Sequence, residues 1–156
     1  MLVFNHSSNT MKKDVITKGI YLMLILLFNY TAISKLTDFH AYSMEMSKQV
    51  FSKPLTGILI YTIPSLEILT SVLLIIPKFR LTGFLFSLIL MVVFTGYIIL
   101  VLTGYFNRIP CACGGVLSFL NWNSHLWFNL FFLALAALGS VYQNQLKREV
   151  SDKKGI

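Results

Sequence analysis

Three kinds of residue in this chain can do chemistry where they stand. Cys111 and Cys113, the only two cysteines of 156 residues, are separated by one residue and followed by Gly114 and Gly115. Cα atoms two positions apart reach at most about 6.6–7.2 Å when the chain is extended. A disulfide favours about 4.4–6.8 Å with a specific torsion, so the pair can close only by bending the backbone. Strained, exposed disulfides are the more oxidising and exchangeable ones. The two glycines supply the permissive backbone such a turn needs. A stapling disulfide would close a longer loop, where cross-linking stabilises more. The spacing therefore points to thiol–disulfide exchange. Inert buried cysteines and a zinc site are the competing readings. Zinc wants about four ligands, and the pair with His125 supplies three.

His125 follows the cysteines by a dozen positions and can stabilise a thiolate or carry a proton; an interfacial histidine bonded to a headgroup is the plainer reading. Glu67 is the third group. It stands in the middle of an apolar run, where a charge costs at least about 2.5–3.5 kcal/mol on insertion scales. Thr70 and Ser71 share its helical face, and Pro64 frees a backbone carbonyl there. Tyr30 and Lys35 are candidate partners. The residue types suggest a proton relay or part of a quinone pocket, against a protonated glutamate bonded between helices. Trp122 and Asn129 are the candidate quinone contacts, although Trp122, Trp127 and Tyr105 equally suit an aromatic belt.

These groups must be positioned by apolar elements. Hydrophobic residues make up 56% of the chain and charged ones 12%, with a mean hydropathy of +0.72. Soluble domains carry about a quarter charged residues. The composition excludes disorder and an ordinary soluble enzyme. The apolar residues fall into four runs, each long enough to cross a hydrocarbon core of about 30 Å. The expected fold is all-α: an integral membrane four-helix bundle over residues 15–142, with helices at about 16–34, 55–76, 81–106 and 125–142. A retained first helix is preferred over a cleaved leader, and Met11 before Lys12-Lys13 is an alternative start. A short interfacial amphipathic helix is expected between helices one and two, capped by Thr37 or Asp38. Pro54 suits the first turn of the second helix. Asn123 or Ser124 can cap the fourth. Gly83 with Ser87 and Ala136 with Ser140 are small-xxx-small pairs that permit close packing. Residues 1–14 and 143–156 are polar flanks, and 107–123 form a loop carrying the cysteines.

The formal net charge is +7. No basic stripe interleaves with aromatics, so nucleic acid is not the partner expected. Of 13 Lys and Arg, nine lie in the N-terminal segment, the second connection and the tail; four (Lys35, Lys48, Lys53, Arg108) lie in the other connections. The positive-inside rule then places both termini in the cytoplasm of a bacterial inner membrane. The cysteine loop faces the periplasm, where disulfides persist.

The stretch Pro110-Cys111-Ala112-Cys113-Gly114-Gly115, with Trp122, His125 and Asn129, resembles the MauE/DoxX-like redox-associated membrane proteins in the form found in Bacteroidetes. Ser34-Lys35-Leu36-Thr37-Asp38 and Ile63-Pro64-Ser65-Leu66-Glu67 resemble DoxX-type helices one and two. The glycine pair departs from the founding family, which tends to have an aromatic after the cysteine. MauE is associated with maturation of a disulfide-rich periplasmic dehydrogenase. The resemblance implies a role in shuttling oxidising equivalents, without implying methylamine as a substrate. The architecture is also similar to DsbB and the vitamin K epoxide reductase family, which pass electrons from cysteines to quinone but use a second cysteine pair. Two functions stay open. One is a membrane thiol–disulfide oxidoreductase acting on a periplasmic, thioredoxin-like partner through Cys111 and Cys113, with His125 and Glu67 managing protons. The other is a non-enzymatic subunit that anchors or assembles a partner complex.

Overall fold

The computed structural model describes residues 2–106 and 122–154, with side chains described for 11–106 and 122–151. Five α-helices follow one another: α1 (Leu2–Thr37), α2 (Phe39–Ser47), α3 (Lys53–Ile75), α4 (Arg80–Leu102) and α5 (Trp122–Lys154). Four of them, all but α2, are long and apolar enough to cross a membrane. No strand occurs among the described residues. Helix α1 packs on α3, α3 on α4, α4 on α5, and α5 on α1. The four long helices thus form an up–down–up–down ring, with α2 laid across the end where α1 hands over to α3.

Local chemistry sets most helix ends. Asp38 caps α2 by accepting the Ala41 N–H at 3.1 Å, and Pro54 stands in the first turn of α3. A 3₁₀ turn, Pro77–Phe79, joins α3 to α4. Helix α4 stops at Leu102, short of the Phe106 that the apolar run suggested. Gly104 adopts φ +70°. Its N–H bonds to Val101 O and the Tyr105 N–H to Leu100 O, both at 3.2 Å. This double closure needs a left-handed residue, which glycine accommodates without a Cβ penalty. Asn123 and Ser124 lie inside α5 rather than ahead of it.

The outer helices run further than their apolar cores. Helix α1 has 36 residues and α5 has 33, roughly 54 and 50 Å at 1.5 Å per residue. Residues 1–18 contain no Gly or Pro, nor do 143–154. Once an apolar helix is nucleated, extending it into such flanks costs little. The start of α1 and the end of α5 meet through Lys13 Nζ and Glu149 Oε1 at 3.4 Å. Nearby the Arg80 guanidinium lies 4.3 Å over the Tyr21 ring. The basic segments therefore share the end of the bundle opposite α2.

The core runs through Leu24 and Phe28 of α1, Leu74 of α3, Phe84 and Met91 of α4, and Phe132 and Ala136 of α5. Lipid is as apolar as these side chains, so close packing rather than water exclusion holds such helices together. Small residues make the approach possible. A Cβ on Gly83 would stand 2.7 Å from the Leu74 backbone nitrogen, and one on Gly139 would stand 2.2 Å from the buried Phe84 ring. Ser87 and Ser140 bond the carbonyls of Gly83 and Ala136, each at 2.8 Å, so each seam hydroxyl is satisfied within its own helix. Gly83→Ala and Gly139→Ala should each destabilise the bundle by about 1–3 kcal/mol, the usual cost of overpacking. Gly96→Ala, with no atom within 4 Å of its Cβ, should not lower the melting temperature in detergent; equal melts for all three would contradict this packing.

Candidate functional site

A cavity of about 520 Å³ opens within the ring of helices at the α2 end. Its wall is mostly apolar, from Leu27 and Phe28 of α1 through Leu59 and Ile63 of α3 to Phe94 of α4 and Phe128 of α5. Its polar groups are few. Thr31 and Lys35 come from α1, Thr62 and Glu67 from α3, Tyr42 and Gln49 from α2 and the bend after it, Tyr97 from α4, and Trp122, His125 and Asn129 from α5.

The Lys35 Nζ donates to Glu67 Oε1 at 2.6 Å. The glutamate side chain is 2% exposed and the lysine 12%. Sequence spacing named Lys35 and Tyr30 as candidates for this contact; Lys35 makes it, and Tyr30 points outward. The face argued for Glu67 is real, since Ile60, Pro64, Glu67, Thr70, Ser71 and Leu74 are all buried. Thr70 bonds the Leu66 carbonyl. Glu67 Oε2 has no hydrogen-bond partner among the described residues. An ion pair in a low-dielectric setting holds only if both charges stay together, because either one alone would be uncompensated.

Helix α2 closes over this pair. Tyr42 and Met46 bury against Ile60, flanked by Phe39 and Phe51. The Tyr97 hydroxyl donates to Gln49 Oε1, and the Phe51 and Tyr97 rings stack at 5.3 Å. These contacts pin the connection to α4. Burial, and after it the Glu67 charge, push the Tyr42 phenol well above its ordinary range. The phenol therefore stays neutral beside the ion pair.

On α5, Trp122 stacks on His125 with centroids 6.5 Å apart. The Asn129 amide donates to the His125 carbonyl at 3.0 Å. His125 Nδ1 is buried without a partner among the described residues. Five residues singled out by sequence (Lys35, Glu67, Trp122, His125 and Asn129) thus line one cavity. Trp127 and Tyr105 stay exposed on the outside, as belt residues do. Cys111 and Cys113 lie outside the described residues. The segment bearing them leaves Phe106 and re-enters at Trp122. Phe106 packs on Tyr97 at 6.2 Å, so both attachment points are at the cavity end. Sequence reasoning missed Tyr42, Gln49 and Tyr97. A tyrosine inside an apolar run and a glutamine in a mixed one carry no pattern that pairs them.

Fold and cavity together define an all-helical membrane protein of four spans with an ion pair facing an internal apolar chamber. The chain belongs to the family of the methylamine utilisation protein MauE, whose family model matches residues 13–142. That match covers all four spans from Lys13 to Tyr142. Searches of curated proteins and of solved structures return no match.

The ion pair generates a double-mutant test. Lys35→Met alone and Glu67→Leu alone should each destabilise the protein by about 3–5 kcal/mol, because each strands a buried charge. The combined variant should recover most of that loss in thermal melts. Additive losses would mean that the two side chains are not coupled.

Proposed function

We propose that the protein is an inner-membrane thiol–disulfide exchange protein that oxidises a periplasmic, thioredoxin-like partner through Cys111 and Cys113. One observation carries this reading: the buried Lys35–Glu67 pair and His125 face one apolar cavity at the end of the bundle where Phe106 and Trp122 stand, the two described residues that flank the Cys111–Cys113 segment in sequence. The nine-to-four division of basic residues supports a cytoplasmic location for both termini and a periplasmic one for that end.

The exchange conserves atoms and electrons. A thiolate of the partner attacks one sulfur of the Cys111–Cys113 disulfide and forms a mixed disulfide. The partner's second thiolate then displaces the cysteine of this chain. The partner leaves as a disulfide, and the pair is left as two thiols, having gained two electrons and two protons. Cys111 is the sulfur assigned to meet the partner. Reoxidation of the pair re-forms the S–S bond and delivers two electrons and two protons to a membrane quinone, whose two ring oxygens become hydroxyls. His125 and Glu67 hold and pass protons beside this step. His125 is placed for that work by its Nδ1, which is buried without a partner among the described residues.

Cys111→Ser and Cys113→Ser should each abolish oxidation of a reduced thioredoxin-fold substrate by membranes containing the protein, while leaving the melt of the purified bundle unchanged. Retained activity in both variants, with loss of a co-purifying complex instead, would favour the assembly-subunit reading.

A further inference from the structure

We propose that the cavity is a binding site for the ring of a quinone, and that Lys35 and Glu67 rather than Trp122 hold its oxygens. This inference rests on the exchange reading for its biological role, and on the cavity for its chemistry.

The volume of about 520 Å³ falls in the range of small-molecule sites, about 300–1,000 Å³. The apolar wall suits a flat ring and the first part of an isoprenoid tail. The polar groups suit the ring oxygens. An ammonium has three N–H donors, and Lys35 gives one of them to Glu67. The rest can meet a carbonyl oxygen. Glu67 Oε2, buried and without a partner among the described residues, can accept the hydrogen of a ring hydroxyl. His125 Nδ1 is similarly unpartnered. Helices α3 and α5 stand diagonally across the ring of helices, so the polar groups reach the cavity from two sides. A ligand with an oxygen at each end of a flat ring matches that placement. A phospholipid headgroup does not: Glu67 already neutralises Lys35, and no surplus cation among the described residues lines the cavity to hold a phosphate.

The test uses the full chain in lipid nanodiscs, with Trp127→Phe in the background so that Trp122 reports alone. Decyl-benzoquinone and, under reductant, its quinol are each titrated against tryptophan fluorescence. The expected result is saturable quenching. Lys35→Met should weaken binding of the quinone, and Glu67→Gln binding of the quinol, each by at least about tenfold, as loss of a charge-assisted hydrogen bond does. Ile63→Phe, which narrows the cavity without touching its polar groups, should weaken it as well, and serves if the ion-pair variants fail to fold. The double variant Cys111→Ser, Cys113→Ser should bind as the parent does. Absence of saturable quenching overturns the proposal, as does unchanged quinone affinity in folded Lys35→Met together with unchanged quinol affinity in folded Glu67→Gln. Displacement of the probe by anionic phospholipid would make this a lipid site and also overturn it. Binding without partner oxidation would defeat the exchange reading alone; partner oxidation without binding would defeat this proposal alone.

Discussion

A lysine and a glutamate joined inside a membrane bundle constrain everything around them. Lys35 ends α1 and Glu67 lies mid-way along α3, and their contact at 2.6 Å fixes the register of those two helices more sharply than apolar packing can. Lipid offers no hydrophobic drive for helices to associate, whereas an ionised group separated from its partner there is costly. Helix α2, the Gln49–Tyr97 contact and the start of α5 are arranged about that pair. A chamber follows because the polar heads converge while the side chains below them, Leu27, Leu59 and Phe94 among them, leave space unfilled.

The far end of the bundle is built on different terms. There Gly83 and Gly139 let backbone and ring approach closely, hydroxyls fold back on their own helices, and the interior is filled by Phe84, Leu74 and Phe132. One end is packed and the other hollow. That asymmetry suits a protein whose chemistry takes place at one membrane surface. Glu67 Oε2 and His125 Nδ1, which have no hydrogen-bond partner among the described residues, belong to the hollow end, where a ligand can satisfy them.

Much of this was legible in the residues because membrane insertion leaves few choices. Runs of about twenty apolar residues must be helices, since only a helix satisfies its backbone within a single segment in hydrocarbon. Pro54, Asp38 and Pro77 marked ends by their own chemistry. Glu67 stood out because its charge was expensive, and Lys35 because its stem ends one helix at the right depth. The apolar run continues to Phe106 while helix α4 ends at Leu102, because the left-handed Gly104 closes the helix inside the run. Helices α1 and α5 were read too short because hydropathy falls where helical hydrogen bonding continues. The chamber was out of reach. It arises from side chains of all five helices, and no local pattern encodes a space between them. Membership of the MauE family agrees with the four spans.

The most direct measurement is the equilibrium reduction potential of the Cys111–Cys113 pair in native membranes, by differential alkylation across a glutathione series. Thiol–disulfide exchange requires a reversible two-electron couple well above about −300 mV, the level below which structural disulfides generally lie. A pair that stays reduced and unreactive throughout, or oxidised and beyond reduction, would contradict it.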